Sequence, residues 1–352
     1  MNKKEVFAIG FMSGTSLDGM DLVYVKFRKD NYQYFEIIHA ETVKYSSQWR
    51  VTLQRSFHFS SHDLDLLNTE YGVYLGGVIN QFINKYEIQN IDFIASHGHT
   101  VLHQPEKGIT LQIGDGQSIA TITKQKIICD FRTQDVRLGG QGAPLVPIGD
   151  ELLFSNYDFC LNLGGFSNVS YSKEGKRIAF DICPVNIVLN QYANKLGFEY
   201  DEFGILASKG KLNSTLLETL NSLSYYSQSP PKSLGLEWVS EVVFPLIDDF
   251  ETDISVILRT FVEHIAVQIS RVICKSNSVL ITGGGAFNSF LMDRIEIISQ
   301  MKVLLPKKEI VDYKEALIFA FLGLLRVGDQ VNCLSSVTGA QKDHSSGMIF
   351  LP

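Results

Sequence analysis

The sequence predicts an α/β protein made of two similar domains, and three observations lead to that prediction. Apolar runs typical of strands alternate with stretches in which apolar residues recur at helical spacing. A group of three strands with a glycine turn opens the chain and occurs again after residue 156, about one domain length later. A third glycine turn, Gly283–Gly285, joins a strand to a helix near the end of the chain.

Composition and charge restrict the class of protein and its partners. The 352 residues suffice for two ordinary domains, and 45% hydrophobic with 20% charged residues fit a globular protein with a full core. The net charge is −7, without a basic block, so neither nucleic acid nor an anionic membrane is expected as a partner. We find no signal peptide and no run of transmembrane length, which predicts a cytoplasmic protein.

The cysteines indicate a reducing compartment. Their number is odd, their spacing is wide, and no C-x-x-C pattern occurs. We interpret them as reduced core thiols rather than as a disulfide framework or a zinc site. The residues are Cys129, Cys160, Cys183, Cys274 and Cys333.

The first hairpin carries the first candidate site. The run Val6–Ile9 predicts a buried strand, the chain turns on Gly10, Gly14 and Gly19, and Leu22–Phe27 returns. Amides and hydroxyls at such a tip can bind a phosphate, and an acidic residue there can hold a metal-bound water. A tight hairpin with purely structural glycines is the alternative. The candidate phosphate-binding residues are Gly14, Thr15, Ser16, Leu17, Asp18, Gly19, Met20 and Asp21, of which Asp18 or Asp21 could hold the metal-bound water.

The rest of the first half alternates helix and strand. A helix follows Ser61–Asp63 and continues to Phe82, and Gly76–Gly77 within it predicts close helix packing. Three strands follow, and polar residues gather where they end, as at ligand sites in open sheets. These strands are Ile91–Ser96, the run ending at Gly114, and Lys126–Phe131.

A polar, glycine-rich stretch from 132 to 147 predicts a functional loop and marks the domain junction. We therefore predict one domain over residues 1–130, completed by 331–352, and a second over 131–330. In the second domain, strands 157–163, 166–171 and 177–182 repeat the opening pattern with a turn at Gly164–Gly165. Helices are predicted from Pro184 to Gly197, over 254–272, and from Lys314 to Arg326.

Two phosphate-binding hairpins and a late glycine turn resemble the actin and hexokinase superfold. That resemblance implies two duplicated actin-like (ribonuclease H-like) domains with a nucleotide cleft between them. The individual motifs are similar to those of one family, the anhydro-N-acetylmuramic acid kinases. In chain order they are Gly14–Asp21, Ser96–Thr100, Gln112–Asp115, Asp130–Arg132, Gly139–Pro147, Asn162–Gly165, Asp181, Gly283–Ala286 and Ser336–Gly339.

The resemblance implies an ATP- and magnesium-dependent kinase of cell-wall recycling. Water would open the 1,6-anhydro ring of anhydro-N-acetylmuramic acid while the γ-phosphoryl group moves to O6. The resemblance implies ATP and an anhydro amino sugar as partners. It is also compatible with a homodimer. The second half would bind ATP through Asn162, Gly164, Gly165, Gly283, Gly284 and Gly285.

The same resemblance points to Asp181 as the general base that activates water, and the alternative for Asp181 is a helix N-cap. The expected sugar-binding residues are His97, Gln112, Asp115, Arg132 and Glu315. Arg132 suits a carboxylate or phosphate, with a surface salt bridge as the alternative. A loop histidine with satisfied bonds is the alternative for His97. A charge in the first turn of a helix is the alternative for Glu315.

Three departures from the family pattern fall near the expected sugar side. Ile182–Cys183 replaces Thr-Gly after the aspartate, Gly149–Asp150 replaces Phe-His, and Leu234–Gly235 replaces Thr-Gly. A divergent enzyme with the same reaction is our first interpretation. A kinase with a shifted amino-sugar substrate and a catalytically weak ATP-binding sensor are the alternatives.

Overall fold

A computed structural model of the chain describes residues 4–14, 17, 19–274, 278–303 and 305–352. The strands, numbered in chain order, are β1 (Glu5–Ser13), β2 (Met20–Arg28), β3 (Phe35–Val43), β4 (Phe93–Gln104), β5 (Ile109–Ile113), β6 (Ile127–Cys129), β7 (Phe159–Leu163), β8 (Phe166–Lys173), β9 (Lys176–Pro184), β10 (Val279–Thr282) and β11 (Met348–Phe350).

The α-helices are numbered in the same way. They are α1 (Ser47–Arg55), α2 (Ser61–Lys85), α3 (Gly116–Thr123), α4 (Thr133–Arg137), α5 (Pro147–Leu153), α6 (Asn186–Lys195), α7 (Ile205–Lys209), α8 (Ser214–Asn221), α9 (Leu236–Trp238), α10 (Phe244–Phe250), α11 (Ile254–Ile273), α12 (Ser289–Ser299), α13 (Lys308–Val327) and α14 (Ser335–Thr338). A π-helical segment, Val239–Val243, joins α9 to α10. Short 3-10 turns cover Ser56–His58, Pro105–Lys107, Glu202–Gly204, Ser224–Ser227 and Gly284–Phe287.

The chain forms two compact units, Met1–Leu153 with Tyr313–Pro352, and Phe154–Asp312. Residues 131–153 and 313–330 thus belong to the first unit, whereas the sequence placed them in the second domain. Packing explains the difference, because α13 lies on the first sheet. The rings of Phe27 and Phe321 are 5.7 Å apart. Lys314 of α13 also forms a 2.7 Å ion pair with Asp150 of α5.

The sheet of the first unit has the order β11-β6-β4-β1-β2-β3, with β5 paired to β4. The first three strands form the predicted antiparallel meander, and β4 runs parallel to β1. Gly10, predicted in the turn, instead lies inside β1, where it closely approaches Ala316 of α13. The helices α2 and α3 cover the other face of the sheet, and Ile9, Leu75 and Ile119 are fully buried between these elements.

Two glycines of α2 were predicted to allow close packing, and one does. A Cβ atom at Gly76 would lie 2.8 Å from the Cβ atom of Ile122 in α3. No atom lies within 4 Å of a Cβ atom built at Gly77. Gly76 therefore permits the approach of α3, and Gly77 is not required for it.

The sheet of the second unit has the order β10-β7-β8-β9. Its first three strands again form an antiparallel meander, and β10 runs parallel to the first of them. In the first sheet, the strands β4, β1, β2 and β3 have the same order and the same relative directions as β10, β7, β8 and β9. This confirms the predicted α/β fold of two duplicated domains with actin-like strand order.

The long helix α11 forms the centre of the second core. The Asp253 carboxylate accepts from the amides of Ser255 and Val256 and so caps the helix at its N-terminus. The predicted apolar side chains Leu258, Phe261, Ile265 and Ile269 are buried against the strands and the surrounding helices. Among the residues that the structure describes, no helix is long and apolar enough to span a membrane.

The predicted loop from 132 to 147 contains a helix. The short helix α4 follows Asp130, whose side chain accepts a 3.3 Å hydrogen bond from the Thr133 amide. The sequence did not predict this helix, because the segment is polar and rich in glycine and only Val136 of the helix contributes an apolar contact. The predicted last helix also begins earlier, at Lys308, and departs from helical angles at Tyr313 (φ −118°, ψ 15°).

Candidate functional site

The tip of the first hairpin connects β1 to β2. The strands pair as far as Ser13 and Met20, and the Leu17 amide donates to the Gly14 carbonyl at 3.4 Å. The predicted phosphate-binding residues Thr15, Ser16 and Asp18 lie outside the described residues. The described part of the tip offers the backbone groups of Gly14, Leu17 and Gly19.

Several predicted residues of this tip have structural side chains. Leu17 and Met20 are buried in the hydrophobic core, so only their backbone groups are available to a ligand. Gly19 is required by packing, since a Cβ atom there would lie 2.6 Å from Thr42 Cγ2. Asp21 accepts a 2.6 Å hydrogen bond from the Thr42 hydroxyl.

A buried polar network fixes the base of this hairpin. Ser13 Oγ lies 2.5 Å from the Tyr45 hydroxyl and 3.0 Å from His99 Nδ1. The Tyr45 hydroxyl in turn lies 2.5 Å from that of Tyr71 in α2. Burial lowers the pKa of His99 to about 4, so its ring is neutral at neutral pH. The sequence analysis missed Tyr45 and Tyr71, because only the fold brings them to Ser13.

Arg132 and His97 form the clearest predicted pair. The Arg132 Nε and Nη2 groups donate to His97 Nε2 at 3.1 and 3.0 Å, and Nη1 donates to the Gly142 carbonyl at 2.6 Å. His97 Nδ1 donates to the Gly98 carbonyl at 3.1 Å, which leaves Nε2 as the acceptor. His97 thus positions Arg132, and the alternative of a satisfied loop histidine describes part of its role.

The surroundings of this pair keep Arg132 positively charged and His97 neutral. Burial and the Arg132 charge hold the pKa of His97 well below its usual range. Burial lowers the pKa of Arg132 to about 10, while the Glu315 carboxylate acts in the opposite direction. Arg132 therefore remains a cation at neutral pH and can bind an anionic group.

The other predicted sugar-binding residues differ in how many of their polar atoms already form hydrogen bonds. Gln112 donates through Nε2 to the hydroxyls of Thr110 and Thr100, and its buried Oε1 lacks a hydrogen-bond partner among the described residues. Asp115 is the N-cap of α3 and accepts from the Ser118 amide and hydroxyl, each at 2.7 Å. Gln112 thus has one acceptor atom that is buried without a partner among the described residues, whereas Asp115 has a capping role.

Glu315 lies on α13, seven residues after its start at Lys308. The helix departs from helical angles at Tyr313, so Glu315 lies in the first turn of the segment after this kink, as the alternative predicted. Its side chain is exposed on the first unit. Partial desolvation and the negative charge of Asp21 raise the pKa of the Glu315 carboxyl group, and both residues belong to the first unit.

The second hairpin turns at Gly164–Gly165, and the start of α6 packs on it. The amides of Val185 and Ile187 donate to the Gly165 carbonyl at 2.8 and 3.2 Å, and the Asn186 amide donates to that of Gly164 at 3.2 Å. These bonds satisfy the carbonyl side of the turn. A Cβ atom at Gly165 would have one neighbour within 4 Å, Ile187 Cβ at 3.9 Å, so the space beside this residue is open.

The third glycine turn lies against the second hairpin. Gly283 has a φ of +84°, and a Cβ atom there would lie 2.6 Å from Asn162 Oδ1. A Cβ atom at Gly285 would lie 2.8 Å from that of Leu163. The structure thus brings Asn162, the Gly164–Gly165 turn and the turn at 283–285 together within the second unit. Asn186, whose amide group donates to the Leu163 carbonyl at 3.3 Å, joins them.

Asp181 is held by the segment before α9. Its Oδ2 accepts from the Leu234 amide at 2.9 Å, its amide donates to the Lys232 carbonyl at 3.2 Å, and its carbonyl accepts from the Tyr225 hydroxyl at 2.5 Å. Within the described part of the chain, no group hydrogen-bonds Oδ1. The N-cap alternative is wrong, because α6 begins at Asn186 and Val185 occupies the cap position.

Burial raises the pKa of the Asp181 carboxyl group, and the hydrogen bond from Leu234 acts in the opposite direction. A carboxylate with a raised pKa accepts a proton more readily than an exposed one. Asp181 can therefore act as a base through Oδ1 while Oδ2 stays oriented. The sequence contained no signal for Leu234 or Tyr225 as partners of Asp181, since both are more than forty residues away.

The departures at 182–183 lie in the core of the second unit. Ile182 and Cys183 are both buried among its apolar side chains. The Ser167 hydroxyl donates to the Cys183 carbonyl at 3.0 Å, and burial raises the pKa of the thiol to about 12. Both substitutions therefore change the packing behind Asp181.

Comparison with known proteins gives a consistent result. Residues 6–352 match the family model described as anhydro-N-acetylmuramic acid kinase. The chain is 32% identical to the anhydro-N-acetylmuramic acid kinase of Mannheimia succiniciproducens, over 98% of each chain. It is 33% identical to that of Haemophilus influenzae, over 99% of each chain.

A solved structure shows a weaker likeness. Component A of the (R)-2-hydroxyglutaryl-CoA dehydratase of Acidaminococcus fermentans aligns with a TM-score of 0.47 at 13% identity, over 90% of this chain and 96% of that one. A likeness of this size does not establish a common fold, and the fold of this chain is described from its own two sheets.

Proposed function

Because the chain belongs to the anhydro-N-acetylmuramic acid kinase family, we propose that it phosphorylates anhydro-N-acetylmuramic acid at O6 with ATP and opens the 1,6-anhydro ring with water. The oxygen of water forms a bond to C1 as the C1–O6 bond breaks. O6 forms a bond to the γ-phosphorus as the bond to the β-phosphate oxygen breaks. One proton of the water is released, and the products are N-acetylmuramic acid 6-phosphate and ADP.

The observation that carries this proposal is the environment of Asp181. One carboxylate oxygen is oriented by the Leu234 amide, and burial raises the pKa of the group. Asp181 would take the proton from the attacking water through Oδ1. Because the Leu234 contact uses the backbone, the substitution of the family threonine at this position leaves that contact in place.

The glycine turns support binding of the ATP phosphates. Phosphoryl transfer depends mainly on positioning and on stabilising negative charge. The open space at Gly165 would admit a phosphate close to the backbone, and the turn at 283–285, which packs on Asn162 and Leu163, would hold this hairpin in place for the nucleotide. In the first unit the residues proposed for the phosphates are Gly14, Thr15, Ser16 and Gly19, together with the backbone of Leu17 and Met20.

We assign the magnesium ion to the acidic residues at the tip of the first hairpin. Asp18, through water, and the neighbouring Asp21 would provide carboxylate oxygens, which Mg²⁺ prefers. Bound magnesium would neutralise part of the negative charge on the phosphates. The role of these residues would be to keep the triphosphate oriented toward the sugar.

The proposed sugar contacts lie in the first unit. The Arg132 cation would bind the lactyl carboxylate that distinguishes a muramic acid from other amino sugars. Gln112, whose buried Oε1 lacks a partner among the described residues, would turn its side chain to accept from a sugar hydroxyl or amide. His97 would act by positioning Arg132, and Glu315 would complete the polar surface.

The test is Asp181→Asn, measured as ATP consumption with anhydro-N-acetylmuramic acid and as ATP binding. The amide cannot take a proton, so turnover should fall by about 100-fold or more while ATP affinity stays the same. Asp293→Asn, an exposed aspartate on α12, is the matched control and should keep wild-type activity. Wild-type turnover in Asp181→Asn would remove Asp181 from the mechanism.

The same assay separates the alternatives. A panel of amino sugars without the lactyl group tests for a shifted substrate, and preference for one of them would reject the proposed specificity. A wild-type chain that binds ATP but consumes none with any sugar would be a nucleotide-binding sensor.

A further inference from the structure

Three side chains that commonly bind metals meet inside the first unit. Asp135 belongs to α4, Cys333 precedes α14, and His344 follows it. One ligand atom of each lies within 4.8 Å of the others, and all three side chains are buried. The sequence analysis interpreted Cys333 as a simple core thiol, because residues 135, 333 and 344 show no metal-binding spacing.

The backbone fixes two of these residues relative to each other. Cys333 and His344 form an antiparallel bridge, in which each amide donates to the other's carbonyl, at 3.1 and 3.2 Å. The Asp135 carboxylate is held separately, since the Gly142 amide donates to its Oδ2 at 2.7 Å. The three groups are therefore held close together before any ligand binds.

Their separations are close to those of a tetrahedral zinc site. Cys333 Sγ lies 3.0 Å and His344 Nε2 lies 3.6 Å from Asp135 Oδ1. Metal–ligand bonds of about 2.0 to 2.3 Å at tetrahedral angles place neighbouring ligand atoms roughly 3.3 to 3.5 Å apart. The ligand atoms of Cys333 and His344 lie within 4.8 Å of each other, so shifts of up to about 1 Å would bring all three atoms to tetrahedral separations.

The histidine provides an independent indication of a ligand. His344 Nδ1 lies 3.1 Å from the Lys342 carbonyl oxygen, to which it must donate. In the neutral ring Nε2 is then an acceptor facing the cluster, and this buried atom has no hydrogen-bond partner in the part of the chain that the structure describes. A backbone carbonyl behind one ring nitrogen with a lone pair on the other is typical of a metal-ligating histidine.

We propose that Asp135, Cys333 and His344 bind a divalent transition metal of the zinc type. A thiolate, a carboxylate and a neutral imidazole would neutralise the charge of the ion, as a buried site requires. Thiolate and imidazole disfavour Mg²⁺, so this site is separate from the magnesium of catalysis. The Thr338 hydroxyl donates to Asp135 Oδ1 at 2.7 Å and would hold this carboxylate in place behind the ion.

The metal would replace a hydrogen bond. Without it, Cys333 donates its S–H to Asp135, and burial raises the pKa of the thiol. The thiolate that binds the metal must lose this proton, so binding should release one proton per ion. The ion would join α4 to the C-terminal segment in place of the S–H hydrogen bond.

The test uses the full chain, freed of metal with a chelator, loaded with Co²⁺ or Zn²⁺, and passed over a chelating resin. We expect equimolar retained metal, a thiolate-to-cobalt absorption band, and a melting temperature that falls when a chelator removes the ion. Cys333→Ser and His344→Ala should lose retention. Cys274→Ser, at the exposed cysteine, should keep it and controls for binding to a surface thiol.

Retention that disappears in Cys274→Ser, or persists unchanged in Cys333→Ser, would overturn the proposal. If Cys333→Ser fails to fold, the cobalt spectrum of the wild-type chain decides by itself. A wild-type chain that retains no metal and shows no thiolate band has a hydrogen-bonded cluster at this place instead.

Discussion

Arg132 is oriented by two acceptors that carry no net charge, His97 Nε2 and the Gly142 carbonyl. A carboxylate in the place of His97 would neutralise the guanidinium and lower its attraction for an anion. The neutral histidine fixes the geometry and leaves the positive charge available. This arrangement suits recognition of an anionic sugar substituent.

Replacing His97 with alanine should therefore weaken sugar binding. The variant His97→Ala removes the acceptor of two hydrogen bonds and leaves Arg132 less well oriented. We expect KM for the sugar to rise about tenfold, or about 1.4 kcal/mol, with KM for ATP unchanged. Steady-state kinetics with each substrate varied in turn measure both constants.

The exposed His62, in the first turn of α2, provides the control for this variant. His62→Ala should leave both constants unchanged. An unchanged sugar KM in His97→Ala would show that Arg132 does not depend on His97.

At the scale of elements, the turn at 283–285 depends on glycine for two separate reasons. Gly283 has a left-handed φ of +84°, and the space for a Cβ atom is occupied by Asn162 and Leu163. The turn between β8 and β9 needs glycine only because its backbone is left-handed. Gly175 has a φ of +74°, and no atom lies within 4 Å of a Cβ atom built there.

The variants Gly283→Ala and Gly175→Ala separate strain from crowding. Left-handed backbone alone costs an alanine about 1 to 2 kcal/mol, which is the loss expected for Gly175→Ala. Gly283→Ala should lose more free energy of unfolding and also bind ATP more weakly, because the hairpin must move. Chemical denaturation and nucleotide titration measure the two effects, and equal losses in both variants would contradict the predicted crowding.

The sequence allowed most elements to be predicted, but not their long-range contacts. Both meanders follow from local apolar runs and glycine turns, which the chain carries within a few dozen residues. The helix α4 was missed because its residues are mostly polar. The contact of Leu234 with Asp181 and the pairing of Arg132 with His97 depend on tertiary packing, which a single sequence does not encode locally.

At the scale of the whole molecule, buried histidines make stability depend on pH. Burial lowers the pKa of His99 to about 4 and that of His264 to about 3, and the pKa of His97 also lies well below its usual range. In the unfolded chain these groups titrate near pH 6.5. Below that value the unfolded chain binds more protons, so the native state loses stability as the pH falls.

We expect the free energy of unfolding to fall by about 1.4 kcal/mol per pH unit for each such histidine, from about pH 6.5 down to the folded pKa. Urea titrations at successive pH values measure this slope. His99→Gln should reduce the slope, and His62→Gln at an exposed site in the first turn of α2 should not. A free energy of unfolding that is constant between about pH 6.5 and 5 would contradict the assignment of neutral buried histidines.

The central claim is that one catalytic event couples ring opening by water to phosphorylation of O6. The most direct measurement is mass spectrometry of the products formed in ¹⁸O-labelled water during the first turnovers. Unlabelled product incubated for the same time corrects for exchange of the C1 hydroxyl with water. The account predicts one ¹⁸O atom at C1 and none in the phosphate, whereas labelled inorganic phosphate with intact sugar, or a phosphorylated sugar with a closed anhydro ring, would contradict it.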